Sequence, residues 1–196
     1  MRWWLLLLLG LGVGLVVVWS LDRGPAGEGV EVISLEALRA EVIPQAGADT
    51  TYGIPLSWDN AQQFVDWYYQ YPLTREEEAV LREALGGIPT PCCDDTRLTR
   101  CCCERSGLIC NLVRSARGLA AWLIRVQGFS ATQVRAAVEE WVRFAHPDYY
   151  LAQALRARGA SPTQYGFPTQ GTCYRGECEL PWSRGGCGGM GQQVKI

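Results

Sequence analysis

Ile109-Cys110-Asn111-Leu112-Val113-Arg114-Ser115-Ala116-Arg117-Gly118-Leu119-Ala120-Ala121-Trp122-Leu123-Ile124 is the stretch that decides the fold. Ile109, Leu112, Val113, Ala116, Leu119, Ala120, Leu123 and Ile124 recur at the three- and four-residue steps of an α-helix and make one long apolar stripe. The spacing predicts a helix from Ile109 to Gln127, and Gly128 stands where a left-handed cap would stop it.

The flanking segments repeat that period. Ser130-Ala131-Thr132-Gln133 reads as a capping box that opens a helix with Val134, Val138, Trp141, Val142 and Ala145 inward, ending at His146-Pro147. Thr74-Arg75-Glu76-Glu77 is another, and its helix runs to Leu85 before Gly86-Gly87. Ser57 is placed to cap Trp58 to Gln70, with Trp58, Ala61, Val65, Tyr68 and Tyr69 near one face. Shorter helices are expected from Leu35 to Ile43, after Ser34 and before Pro44, and from Tyr149 to Arg158, before Gly159. No stretch alternates apolar and polar residues as a half-buried strand does, so the expected fold class is all-α.

Just upstream of the long helix lies Pro91-Cys92-Cys93-Asp94-Asp95-Thr96-Arg97-Leu98-Thr99-Arg100-Cys101-Cys102-Cys103, so that with Cys110 six of the nine cysteines fall within twenty residues. A buried thiol behaves as a small hydrophobe and has no packing reason to come in runs, so the runs need sulfur chemistry. No two cysteines stand in Cys-x-x-Cys spacing, which removes the thioredoxin-type motif, covalent haem attachment, paired zinc knuckles and the bacterial ferredoxin run.

Two readings stay open. As disulfides, adjacent cysteines are too close for unstrained bridges within a block; if the same bar is assumed for Cys101 with Cys103, the triple block Cys101, Cys102 and Cys103 pairs outward with Cys92, Cys93 and Cys110. As a metal site, the same six residues supply thiolates near the positive end of a helix, which suits copper, zinc or an iron–sulfur cluster. Asp94-Asp95 is expected to cap a short helix carrying the triple block. Cys173, Cys178 and Cys187 form a second, sparser cluster.

The first segment gives an address. Trp3 to Leu21 is nineteen residues without a charge, between Arg2 and Asp22-Arg23, long enough to cross a bilayer as a helix. Trp3, Trp4 and Trp19 suit anchors at the two interfaces. A signal anchor over 1–22 is expected, with a cleaved signal peptide as the rival and the bulk of the chain outside the cytoplasm. Gly10 and Gly14 have the spacing that brings two membrane helices together, with a membrane protein or a second copy as partner. Beyond it the expected order is a linker with a short helix over 23–56, a cysteine-rich helical domain over 57–159, and a Gly/Cys-rich tail over 160–196 that lacks the apolar residues for a core.

The composition excludes other classes. With 18 Lys and Arg against 20 Asp and Glu, the chain has no charge excess suited to nucleic acid. His146 is the only histidine and reads as a helix-end residue. Met190 is the only methionine beyond the first, so the histidine- or methionine-based copper sites lack their ligands. Gly185-Gly186-Cys187-Gly188-Gly189 precedes no helical pattern and is not read as a phosphate loop. No Ser-His-Asp set or carboxylate pair points to catalysis, and the chain is read as a non-enzyme.

Pro91-Cys92, the cysteines around Cys103, Gly107-Leu108-Ile109-Cys110 and Gly128-Phe129-Ser130-Ala131-Thr132-Gln133-Val134-Arg135-Ala136-Ala137-Val138 together resemble the bacterial PCYCGC-motif family, extracytoplasmic proteins that are often lipid-anchored. The family's second motif cysteine falls on Asp94 here, a later one on Val113, and the lipid-anchor cysteine is missing. The resemblance implies an extracytoplasmic cysteine module and, since that family's role is itself unclear, no mechanism. The expected function is a membrane-anchored cysteine module for a metal or redox centre serving a membrane partner. A disulfide-stapled interaction module is the alternative, its binding face the helix bearing Trp58, Trp67, Tyr68, Tyr69 and Tyr71. Thiol–disulfide exchange comes third, through Cys101 and Cys103.

Overall fold

Local signals place most helix ends. The computed structural model describes residues 33–100, 109–167, 190 and 193–195, the side chains of 93–96 excepted. The expected membrane anchor lies outside these residues. Among the described residues, no helix is long and apolar enough to cross a membrane.

Six α-helices make up most of the described chain: α1 (Leu35–Val42), α2 (Ala61–Gln70), α3 (Arg75–Leu85), α4 (Asn111–Arg125), α5 (Ala131–Ala145) and α6 (Pro147–Ala157). At the start of α3 the Thr74 hydroxyl accepts from the Glu77 amide at 3.3 Å while the Glu77 carboxylate accepts from the Thr74 amide at 2.8 Å, the reciprocal box expected there. At the start of α5 the Ser130 amide and hydroxyl both donate to the Gln133 side-chain oxygen, at 3.0 and 2.8 Å. Gly128 adopts φ 69°, and beyond it the Phe129 amide donates to the Leu123 carbonyl at 3.0 Å, closing α4.

Helix α4 is the centre of the packing. Twelve of its fifteen residues are buried, because α2, α3 and α5 all pack against it. Its crossing with α2 is unusually close at Gly118. A Cβ there would overlap the Phe64 carbonyl oxygen and lie 2.7 Å from the Tyr68 amide nitrogen, so the missing side chain is what lets the two backbones meet. Aromatic rings fill the rest: Trp67 stacks on Trp122 at 4.5 Å, and Phe64 meets Trp141 edge-on at 4.9 Å.

Three features differ from the sequence reading. Pro89–Thr90 (β1) and Cys93–Arg97 (β2) form a small antiparallel pair, with Thr90 opposite Cys93 and Pro89 opposite Arg97. Asp94-Asp95 therefore lies in a strand and caps no helix. Mostly helical remains the right description, since this hairpin is the one sheet among the described residues.

The compact unit also begins at Ser34 rather than near Ser57. Leu38 is wholly buried, α1 packs on α6, and Tyr52 and Leu56 belong to the core. Finally, the far end of the tail is tied down. Met190 and Val194 join the core, and the Lys195 amide donates to the Gln62 side chain at 2.6 Å.

Candidate functional site

The hairpin brings Cys92 into the buried cluster that also holds Cys110 at the start of α4. Pro89 and Pro91 restrict the backbone on either side of Thr90, so the chain arrives extended and turns at Pro91-Cys92. On the return, the Leu98 amide donates to the Ile88 carbonyl at 3.0 Å, and both side chains are completely buried. Arg117 of α4 then donates its Nε to the Leu98 carbonyl at 2.8 Å. Apolar burial and this one charged donor hold the hairpin to the helix.

Two of the expected site cysteines end up inside the protein. Cys92 and Cys110 are 3% and 0% exposed and belong to the same buried cluster. Cys110 is the N-cap residue of α4 but its side chain caps no amide, which leaves the thiol at the positive end of a fifteen-residue helix. Cys93 opens β2. Cys101, Cys102, Cys103, Cys173, Cys178 and Cys187 lie outside the described residues. Among the described residues, no three His, Cys, Asp or Glu side chains gather as a metal site would need.

Four polar residues that the helical period did not mark are buried here: Thr90, Asn111, Arg114 and Ser115. Arg114 stands four residues after Cys110, on the same face of the first turn, and its Nη1 donates to the Asn111 Oδ1 at 3.4 Å. Ser115 is fully bonded, accepting from the Trp141 indole and donating to the Leu112 carbonyl. Asn111 Nδ2 and Thr90 Oγ1 are buried without a hydrogen-bond partner among the described residues. An orphaned buried donor costs about 1–3 kcal/mol, so two of them flanking cysteines call for acceptors. The signal in the sequence was the run Asn111, Arg114, Ser115 and Gly118, polar or small at helical spacing on a side of α4 that only packing shows to be covered.

His146 joins α5 to α6 and donates its amide to the Val142 carbonyl at 2.9 Å, the helix-end position expected of it. The aromatic helix divides. Trp67 is buried and Trp58 packs against the core, while Tyr69 is 60% exposed. With Tyr68 and Tyr71 it lines a cleft of about 460 Å³ closed on other sides by Arg82, Thr99 and Arg117.

A larger cleft, about 670 Å³, lies between α1 and α5 and is lined by Glu41, Glu139, Glu140 and Arg143. Burial raises the Glu140 carboxyl above its ordinary range. Burial, and then the charge of Glu140, raises the nearby Tyr52 phenol, so it stays neutral. Glu41 is already committed to Arg158, 2.6 Å away.

These observations define a small, mostly helical domain with a cysteine-bearing hairpin bonded to its central helix through Arg117. No protein-family model matches the chain, and neither the curated proteins nor the solved structures include a match.

Proposed function

We propose that the protein is a membrane-anchored, extracytoplasmic module whose cysteines hold a metal or redox centre for a membrane partner, without catalysis of its own. The observation that carries this reading is the pair of orphaned donors beside cysteine. Asn111 Nδ2 adjoins Cys110 in the chain, and Thr90 Oγ1 sits two residues before Cys92 and opposite Cys93 in the hairpin. A thiolate sulfur is a strong acceptor and would satisfy both, whereas a disulfide sulfur is a poor one.

The charge around the site points the same way. Buried thiolates need positive compensation, and the head of α4 supplies it through its amides and through buried Arg114. Cys92, Cys93, Cys101, Cys102, Cys103 and Cys110 would be the ligands. Such soft donors suit copper(I), zinc or an iron–sulfur cluster, which when bound would supply metal storage or one-electron transfer. Asn111 and Thr90 would orient and stabilise the sulfurs, as outer hydrogen bonds do in thiolate sites. The nineteen uncharged residues from Trp3 to Leu21 support the membrane anchor.

Metal analysis of anaerobically purified protein tests the proposal. Copper, zinc or iron should be present in stoichiometric amount with sulfur-to-metal absorption, lost in Cys110→Ser and retained in Cys187→Ser. Cys110 is buried at the start of α4, whereas Cys187 stands among four glycines in the sequence, far from the six clustered cysteines. Metal-free protein with three bridges among the six clustered cysteines would overturn it in favour of a disulfide-stapled structural module.

A further inference from the structure

We propose that the cleft between α1 and α5 binds a basic amino acid, a ligand with one carboxylate and two cationic groups. The inference does not rest on the thiolate reading, since no cysteine lines this cleft. Its volume, about 670 Å³, lies within the range of sites for small organic ligands.

The charges of the lining are not used up by the fold. Glu139 and Glu140 of α5 are half-buried, and among the described residues neither makes an ion pair or a side-chain hydrogen bond. Burial raises the Glu140 carboxyl, as desolvation does to a carboxylate without a cation. Glu41 is neutralised by Arg158. The last turn of α1 lines the same space through Ala40, Glu41 and Val42, and its end adds a partial negative charge of roughly half a unit.

Arg143 is the single cation in the lining. It stands four residues after Glu139, a spacing that permits an ion pair, yet its guanidinium lies over the Tyr150 ring, 5.5 Å from the centroid. That contact uses the flat face of the group and leaves its in-plane N–H donors over. Among the described residues they make no hydrogen bond, and Nε is buried without an acceptor.

Two unpaired carboxylates facing one unpaired guanidinium select among ligands. Among the described residues, no three His, Cys, Asp or Glu side chains gather as a metal ion would need. A simple amine would leave Arg143 without an acceptor, and an amino acid with an uncharged side chain would leave one carboxylate without a cation. A basic amino acid answers all three, its carboxylate taken by the Arg143 fork and its cationic groups by Glu139 and Glu140. Along α5, Glu139 and Arg143 are about 6 Å apart, a span that an extended basic side chain bridges.

Calorimetric titration of the full chain with L-arginine tests this, beside agmatine, which lacks the carboxylate, and L-citrulline, whose side chain is uncharged. L-Arginine should bind saturably at one molecule per chain, and the other two about tenfold or more weakly. Glu139→Gln should erase most of the preference over L-citrulline, and Arg143→Gln most of the preference over agmatine. Loss of folded protein alone would change neither ratio. Absence of saturable L-arginine binding, or the same preferences in the wild type and both variants, would overturn the proposal. Equal binding of agmatine would overturn the role of Arg143, and equal binding of L-citrulline that of the carboxylates.

Discussion

Trp141 donates its indole N–H to the Ser115 hydroxyl at 3.0 Å, and neither side chain reaches solvent. The same hydroxyl donates to the Leu112 carbonyl at 2.9 Å, so one small polar group on α4 satisfies the largest ring of the core. Ser115→Ala should destabilise the protein by about 1–3 kcal/mol, the cost of an orphaned buried donor. In a Trp141→Phe background, where no indole N–H remains, the same change should cost less than about 1 kcal/mol. Urea unfolding of the four proteins measures both steps, and equal costs in the two backgrounds would show that the bond contributes nothing.

Gly118→Ala sets two effects against each other. Alanine is the better helix former by about 1 kcal/mol, but the added methyl would meet the Phe64 carbonyl and the Tyr68 amide, both backbone groups of α2 that cannot swing aside. Overpacking costs about 1–3 kcal/mol and more where the obstacle is rigid, so the net effect should be loss of stability. The urea midpoint should fall. A rise would mean that the α2 and α4 backbones do not cross this closely.

Glu140 should make stability depend on pH. Its folded carboxyl is raised above 4.5 by burial, so the folded state holds the proton more tightly than the unfolded chain. The associated stability is present below that value and is lost as pH rises through the raised one. Glu140→Gln should therefore match the wild type in melting temperature at pH well below 4.5 and exceed it increasingly above. A variant that is equally stable at every pH would show that the cleft leaves Glu140 as well solvated as the unfolded chain does.

The helices were legible because their ends carry local chemistry. Thr74, Ser130 and Gly128 act through their own neighbours in the chain, so α3, α4 and α5 could be placed to within a residue or two. The hairpin was not legible. Pro89, Pro91, Asp94 and Asp95 are poor strand formers, and the strands persist because Ile88 and Leu98 are buried and Arg117 holds the return. The start of the domain was missed for a related reason. Leu38 is the one buried residue of α1, and a single apolar contact has no periodicity to detect. At the site, Asn111, Arg114 and Ser115 lie off the apolar stripe that the helical period marks. Their face is covered by elements distant in sequence, and only that packing makes it an interior.

Asn111 distinguishes the two cysteine chemistries by the metal dependence of one substitution. Asn111→Leu keeps the side chain's size and removes the orphaned Nδ2, along with the Oδ1 that accepts from Arg114, a loss common to loaded and metal-free protein. If thiolates accept from Nδ2 in the loaded protein, the change also removes a charge-assisted bond. The metal-bound form should then lose about 1.5–3 kcal/mol more than the chelated protein, and the sulfur-to-metal absorption should shift. If the cysteines are disulfides, the change in stability should be the same with and without added metal. Asn111→Asp provides an independent check. A carboxylate at the same place would repel thiolates while attracting Arg114, so metal affinity should fall about tenfold or more even where the fold is retained. Metal titration and thermal melts of the three proteins, each with and without chelator, read both quantities together.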